Sequence, residues 1–443
     1  VWKEIRQTLI LGWPIILGNL SQMALGVIDS AMVGAIHSSQ LAASSFVNNI
    51  IALPFILSMG MTNAISPLVA AAEGEGDRDK PLRICFNGMA IVGIFSILSA
   101  ILLHWGSDIV FYMGQDEIVA ELSGDYLIWS VWAIVPMALF MAMKQFSEGL
   151  GYSSLPMWVG LASIPLNVLV NYAFIYGYWG APRMELEGAG VGTLIARLLI
   201  VIAMGVIILK GRKYAPYRQH LSQQLQVRRD RLQDVIRIGL PASLQHGMEA
   251  AAFAFSGLMA GWLGYVQQAA HQIALNIAAI TFMVSMGISA AGGIRAAYAF
   301  GQKNWKQVRQ IGTTTMGMAM AYGLFCALLF MLGRYQLPLF FNDEAPVLAW
   351  AASLLLLAAL FQVSDSVQAV GVGLLRGIQD VRIPTFFVAL AYWGIGIPMG
   401  YFLGFVLDWQ VSGLWLGLVS GLSASAILLS IRFLRMTSHA NTP

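Results

Sequence analysis

The sequence predicts an all-α integral membrane protein with twelve transmembrane helices in two pseudo-symmetric six-helix lobes. Three observations predict it. Of 443 residues, 58% are hydrophobic and only 11% charged, and the mean hydropathy is +0.71; a soluble domain carries about a quarter charged residues. The apolar residues form long runs between short polar breaks, as in helices of about 20 residues that cross a bilayer. Finally, a shift of 227 residues lays the first half on the second. It pairs Gly12–Pro14 with Gly239–Pro241, Asn49–Ile50 with Asn276–Ile277 and Ser58–Gly60 with Ser285–Gly287. Runs such as Ala90 to Leu103 and Ala349 to Phe361 do not alternate as the strands of a membrane barrel do. A cytoplasmic enzyme, a secreted module and a disordered scaffold are set aside by the same composition.

The first lobe is expected to hold spans at 8–35, 43–72, 84–104, 120–145, 155–178 and 187–210. Spans well over 20 residues point to tilted or kinked helices. The longest polar stretch follows, with Lys210, Arg212, Lys213, Arg218, Arg228, Arg229, Arg231 and Arg237. It divides the chain into an N-terminal lobe (1–210), a linker (211–233) and a C-terminal lobe (234–443). Spans of the second lobe are expected at 234–263, 268–300, 308–332, 346–374, 383–406 and 412–436. Six spans return the chain to its starting side, so the repeats run parallel, the arrangement of lobes that rock about a shared cavity.

Lysine and arginine set the orientation. Nearly all lie at the termini and in the even-numbered loops, whereas the opposite loops hold only Arg183 and Arg334. Both termini and the linker are therefore expected in the cytoplasm. Lys144 and Arg197 read as residues snorkelling toward that side. Trp105, Tyr178 and Trp179 read as interfacial anchors. Pro14, Pro54, Pro67, Pro136, Pro165, Pro241 and Pro398 interrupt or open spans, where proline permits bending. The 22 Met and 22 Phe mostly face lipid or pack helices, and some can line an adaptable apolar cavity.

Several chemistries find no support. The two cysteines, Cys85 and Cys326, form no C-x-x-C pair, and the six histidines form no H-E-x-x-H. No G-x-x-x-x-G-K-[ST] loop is present, which argues against ATP as direct energy source. A net charge of +3 gives no reason to expect nucleic acid as a partner, and no cofactor is expected.

Three carboxylates lie deep inside apolar spans: Asp29, Glu249 and Asp365. A charge at mid-bilayer costs roughly 2.5–3.5 kcal/mol on insertion scales. Such a group needs a partner, water or a proton, and can exchange a proton for a cation as its surroundings change. Amides accompany each acid. Gln22 shares a helix face with Asp29, Gln245 precedes Glu249 by one turn, Gln362 and Gln368 flank Asp365, and Asn167 and Asn171 are one turn apart. Their oxygens suit Na⁺ or a protonated acid. The three acids are thus the candidates for H⁺ or Na⁺ coupling, and for holding Na⁺ itself.

These segments carry a resemblance. Gly12-Trp-Pro with Val27 to Gly34, Glu148-Gly-Leu-Gly151, Ile164 to Tyr172, Ala270 to Asn276, Phe361-Gln-Val-Ser-Asp365 and Leu375 to Asp380 stand in the order and spacing of one family. The chain resembles the multidrug and toxic compound extrusion (MATE) family, in its NorM-like branch, over essentially its whole length. The resemblance implies a two-lobed, MATE-like exporter in the bacterial inner membrane, not an enzyme. It would exchange lipophilic, often cationic drugs for inward H⁺ or Na⁺ by alternating access. It assigns Glu249 and Asp365 to one coupling site. Asp29 would form a second with Asn167, Asn171 and Thr193, where archaeal relatives typically carry an acid at the position of Asn171. A single chain holds both lobes, so a monomer embedded in lipid suffices. Two alternatives compete. A lipid-linked precursor flippase would favour a cationic cavity, for which only Lys144, Arg197 and Arg295 are candidates. An intramembrane hydrolase would need two acids in contact.

Overall fold

The computed structural model describes residues 2–219 and 225–439. The described chain is helical with no strand. Its long helices are α1 (Trp2–Gly34), α2 (Ser38–Gly74), α3 (Lys80–Trp105), α4 (Glu117–Gly149), α5 (Ser154–Tyr176) and α6 (Glu185–Lys210). They continue with α7 (Arg229–Leu263), α8 (Tyr265–Gly301), α9 (Trp305–Gly333), α10 (Ala345–Gly377), α11 (Arg382–Val406) and α12 (Gln410–His439). Among the described residues, eleven are long and apolar enough to cross a membrane. The twelfth, α7, has the length but carries Asp230, Arg231, Asp234 and Arg237 at its start and Gln245, His246 and Glu249 further on.

The chain condenses into two compact units, Leu17–Ser243 and Val1–Ile16 with Leu244–Pro443. These boundaries fall inside α1 and α7. The reason is local packing. In the second of these units, Gly12 meets Ala291 on α8 at 3.4 Å from where a Cβ would stand, and Gly287 lies against Ile16. In the Leu17–Ser243 unit, the start of α7 packs on α2: Gly60 lies against Ser243, whose hydroxyl donates to the Leu57 carbonyl at 2.7 Å. The beginning of each lobe-leading helix therefore belongs to the unit opposite the rest of it.

Within Leu17–Ser243, α4 packs on α2, α3 and α6, and α5 packs on α6. α4 breaks at Ala133, three residues before Pro136, which can give no helical N–H. In the other unit, α10 is the central element, packed on α8, α9 and α12. Trp415 of α12 is fully buried there. α11 is widened into π-helical turns at Leu390–Gly396 and Phe402–Val406, a distortion common at functional sites.

Two candidate coupling sites

Each unit holds its own polar cluster. In the α7–α12 unit, Glu249 Oε1 accepts from Gln245 Nε2 at 3.2 Å and from Gln368 Nε2 at 3.0 Å. Its Oε2 lies 3.6 Å from His246 Nδ1. The three partners have different causes. Gln245 and His246 stand one turn before Glu249 on α7, the spacing at which helical side chains meet. Gln368 reaches across from α10. Its own Oε1 accepts from Tyr392 Oη at 3.3 Å, so the network runs from α7 through α10 to the first π turn of α11. Asp365 is 5% exposed, one turn from Gln368, with its charge in electrostatic reach of Glu249. Gln362, one turn earlier, is fully buried, and neither of its amide atoms finds a hydrogen bond among the described residues.

An aromatic wall flanks this cluster. Phe253 packs edge-on to Phe361 and Tyr392, with ring centroids 6.1 and 5.7 Å apart, and Phe361 meets Trp415 at 5.6 Å. Trp415 Nε1 donates to His271 Nδ1 at 3.1 Å. That leaves the His271 proton on Nε2, facing Ser256 Oγ at 3.5 Å, and Ser256 donates to the Phe253 carbonyl. The chain of bonds is complete with a neutral imidazole, which fits a buried structural histidine.

In the Leu17–Ser243 unit, Asn171 Nδ2 donates to Asp29 Oδ1 at 2.8 Å and to Asn167 Oδ1 at 3.2 Å. Asn167 and Asn171 are buried, and Asn171 Oδ1 has no partner among the described residues. Gly192 on α6 makes this possible, because a Cβ there would overlap Asn171 Oδ1. Thr193 is half-buried beside it, and no hydrogen bond among the described residues joins it to Asp29 or the two asparagines. Gln22 is likewise half-buried, two turns before Asp29 on α1. The two clusters lie in separate units, Asp29 in Leu17–Ser243 and Asp365 in the other. Among the described residues no three His, Cys, Asp or Glu side chains meet as a metal group. A bound Na⁺ would therefore rest on one or two carboxylates and on amide oxygens.

Two cations depart from expectation. Lys144 does not snorkel: it is 5% exposed, its Nζ donates to Asn19 Oδ1 at 2.9 Å and stands 3.7 Å from Glu148 Oε1. Glu148 is 2% exposed, an acid that sequence reading placed in a motif without noticing its burial. Arg197 also turns inward. Its Nη1 donates to the Ala133 carbonyl at the break in α4, at 3.1 Å. Its charge is felt by Asp29 and by Tyr126 of α4. In both cases a protein acceptor satisfies the cation inside the protein. Arg295 is clamped by the Glu4 carbonyl at 2.8 Å, Thr8 Oγ1 at 2.6 Å, Gln7 Oε1 at 2.7 Å and the Glu4 carboxylate.

Comparison with known proteins gives the same picture. The MatE family model matches twice, over 14–173 and 241–402, one match on each sequence repeat. A probable multidrug resistance protein NorM of Mesorhizobium japonicum is 33% identical, covering 98% of this chain and 95% of the relative. The multidrug resistance protein MdtK of Edwardsiella ictaluri is 32% identical, covering 97% and 95%. Among solved structures, the eukaryotic MATE transporter AtDTX14 superposes with a TM-score of 0.88 at 20% identity, covering 99% of this chain and 98% of that one. An outward-facing multidrug resistance MATE transporter gives 0.89 at 18%, covering 99% and 96%. With a family model on both halves and near-full-length relatives above 30% identity, the chain belongs to the MATE family of membrane transporters.

Proposed function

We propose that this chain is a secondary active multidrug exporter that expels lipophilic or cationic compounds in exchange for H⁺ or Na⁺ by alternating access. The observation that carries the reading is Glu249. It is an acid on α7, expected from the sequence to span the membrane, whose one oxygen is held by two amides from α7 and α10, with the charge of Asp365 nearby. A buried acid and a half-buried one in reach of each other cannot both stay bare at low cost. A proton or Na⁺ taken up there relieves the repulsion and favours one conformation over another, since only differential affinity shifts an equilibrium. Drug and coupling ion then occupy opposite states. Asp29, with Asn167 and Asn171, is a second point of ion entry. The names of the NorM and MdtK relatives, multidrug resistance proteins, support drugs as cargo. The lysine and arginine distribution supports an inner-membrane protein with cytoplasmic termini, and the twofold sequence repeat supports two lobes working as a monomer.

The flippase reading loses its support in the cations. Lys144, Arg197 and Arg295 are each engaged by protein acceptors, which leaves them poorly suited to a diphosphate headgroup. The test is substrate efflux from proteoliposomes under an imposed Na⁺ gradient alone, then a pH gradient alone. One gradient is expected to drive efflux in the wild type, and Glu249→Gln and Asp365→Asn to abolish it. Undiminished efflux by both variants at normal insertion would remove these acids from the mechanism.

A further inference from the structure

The polar stretch between α6 and α7 is fastened to the Leu17–Ser243 unit at two points. At the first, Arg212–Tyr217 forms a 3₁₀ turn. Its Tyr214 is buried, stacks on Phe146 with ring centroids 5.9 Å apart and donates to Ser147 Oγ at 2.8 Å. At the second, Asn87 of α3 is fully buried and holds the backbone on both sides of Val227. Its Nδ2 donates to the Gln226 carbonyl at 3.1 Å, and its Oδ1 accepts from the Arg228 N–H at 2.9 Å. Both points lie at one end of the unit: Gly88, next to Asn87, and Gly149, two residues after Ser147, lie against the consecutive residues Ile65 and Ser66 of α2.

These clamps hold a surface of one chemistry. Residues 210–237 carry eight lysines and arginines against two acids, Asp230 and Asp234. The acids are engaged by Arg228 at 3.3 Å and Arg231 at 3.1 Å. Arg218 donates to the Leu209 and Gly211 carbonyls, and Lys213 lies over the Tyr152 ring. Lys210, Arg212, Arg229 and Arg237 are exposed and form no ion pair among the described residues. The turn between α2 and α3 does not offset this charge, since residues 73–83 hold four acids and three bases. Among the cations, Leu225 and Val227 are 41% and 60% exposed; they flank the Gln226 carbonyl that Asn87 holds.

We propose that this stretch is a docking surface for anionic lipid of the protein's own membrane. A basic loop alone serves to orient a chain in the bilayer. Orientation requires neither a backbone clamp nor apolar side chains turned out among the charges. Together these features suit a segment lying on a membrane surface, where apolar side chains enter the acyl boundary and the cations meet phosphate. α6 is long and apolar enough to cross a membrane and ends at Lys210, which brings the residues just past it to the level of the headgroups. Arginine adds paired donors that match phosphate oxygens. The clamps at Asn87 and Tyr214 remove freedom that the stretch would otherwise lose on docking.

The experiment reconstitutes the full chain in vesicles of phosphatidylcholine with phosphatidylglycerol. It compares how strongly the protein immobilises spin-labelled phosphatidylglycerol and spin-labelled phosphatidylcholine. Wild type is expected to prefer phosphatidylglycerol severalfold, and the preference to shrink as salt rises. Changing Lys210, Arg212, Arg229 and Arg237 together to Gln is expected to bring the ratio close to that of a neutral lipid. Changing Lys303, Lys306 and Arg309, on the turn and first residues of α9 in the other unit, to Gln is expected to leave it as in wild type. Leu225→Ser with Val227→Ser keeps every charge, and with it the insertion of the chain, and is expected to weaken the preference. A wild type without preference overturns the proposal, as does a four-site variant that keeps the wild-type ratio or an equal loss in the α9 variant. Should the four-site variant insert wrongly, the Leu225 and Val227 variant decides, and an unchanged ratio there overturns the proposal. No arm of the experiment involves transport, so the result stands or falls apart from the exporter reading.

Discussion

Gln368 of α10 donates to Glu249 Oε1 of α7 at 3.0 Å while accepting from Tyr392 of α11 at 3.3 Å. One amide thus fixes the orientation of the candidate coupling acid from two other helices. A hydrogen bond to a charged group is worth about 1.5–3 kcal/mol, and about 1.4 kcal/mol is a tenfold change in affinity. Gln368→Leu removes a donor that stabilises the ionised carboxylate, so it is expected to tighten the apparent affinity for a coupling proton by roughly tenfold or more. Tyr392→Phe, which removes only the outer bond, is expected to have a smaller effect in the same direction. Efflux rate as a function of ion concentration in proteoliposomes checks both.

Lys144 and Glu148 form a buried pair in the Leu17–Ser243 unit. Breaking one side of such a pair costs about 3–5 kcal/mol, because the remaining charge is left uncompensated, whereas replacing both sides with apolar groups is often near neutral. Lys144→Met is expected to lower the unfolding temperature in detergent sharply. The double variant Lys144→Met with Glu148→Leu is expected to recover most of the loss. A double variant no better than the single one would show that the two charges do not compensate each other.

The helices were legible in the sequence, since apolar runs of bilayer length leave little choice. So were the acids, because an Asp or Glu inside such a run announces itself by its cost. The same-helix neighbours followed from spacing: Gln245 with Glu249 and Asn167 with Asn171 are one turn apart, and both pairs bond. Relationships between helices were not legible. Nothing in the apolar pattern says that Arg197 faces α4 and not lipid, since a helix apolar all round has no marked face. Tyr392 was missed because a π-helical turn resets which side chains point inward, and that distortion has no simple residue signature. The division of α1 at Ile16 and Leu17 depends on contacts with α8, distant in sequence.

Arg295 ties the first turns of α1 to α8 through Glu4, Gln7 and Thr8. Its side chain and that of Glu4 are 12% and 8% exposed, so water offers weak competition. Arg295→Ala is expected to free this segment without unfolding the unit, whose core on α10 is elsewhere. Hydrogen–deuterium exchange should then rise across residues 4–12 and stay unchanged in α10. Protection that is unaltered in the first turns would show that Gly12 and Ile16 packing alone holds α1 in place.

Gly192 offers the sharpest steric test of the Asp29 cluster. A methyl group there would overlap Asn171 Oδ1 and come within 3.1 Å of the Asn171 Cα. The amide can yield only by rotating, since its backbone belongs to the packed face between α5 and α6. Rotation withdraws the N–H from Asp29 and leaves a half-buried carboxylate without its bonded partner. Gly192→Ala is therefore expected to impair transport as strongly as Asn171→Ala does, and the two substitutions together to cost little more than either one. Contacting residues are the place where such non-additivity is expected. Effects that simply multiply in the double variant would mean that Gly192 acts through helix packing and not through the asparagine.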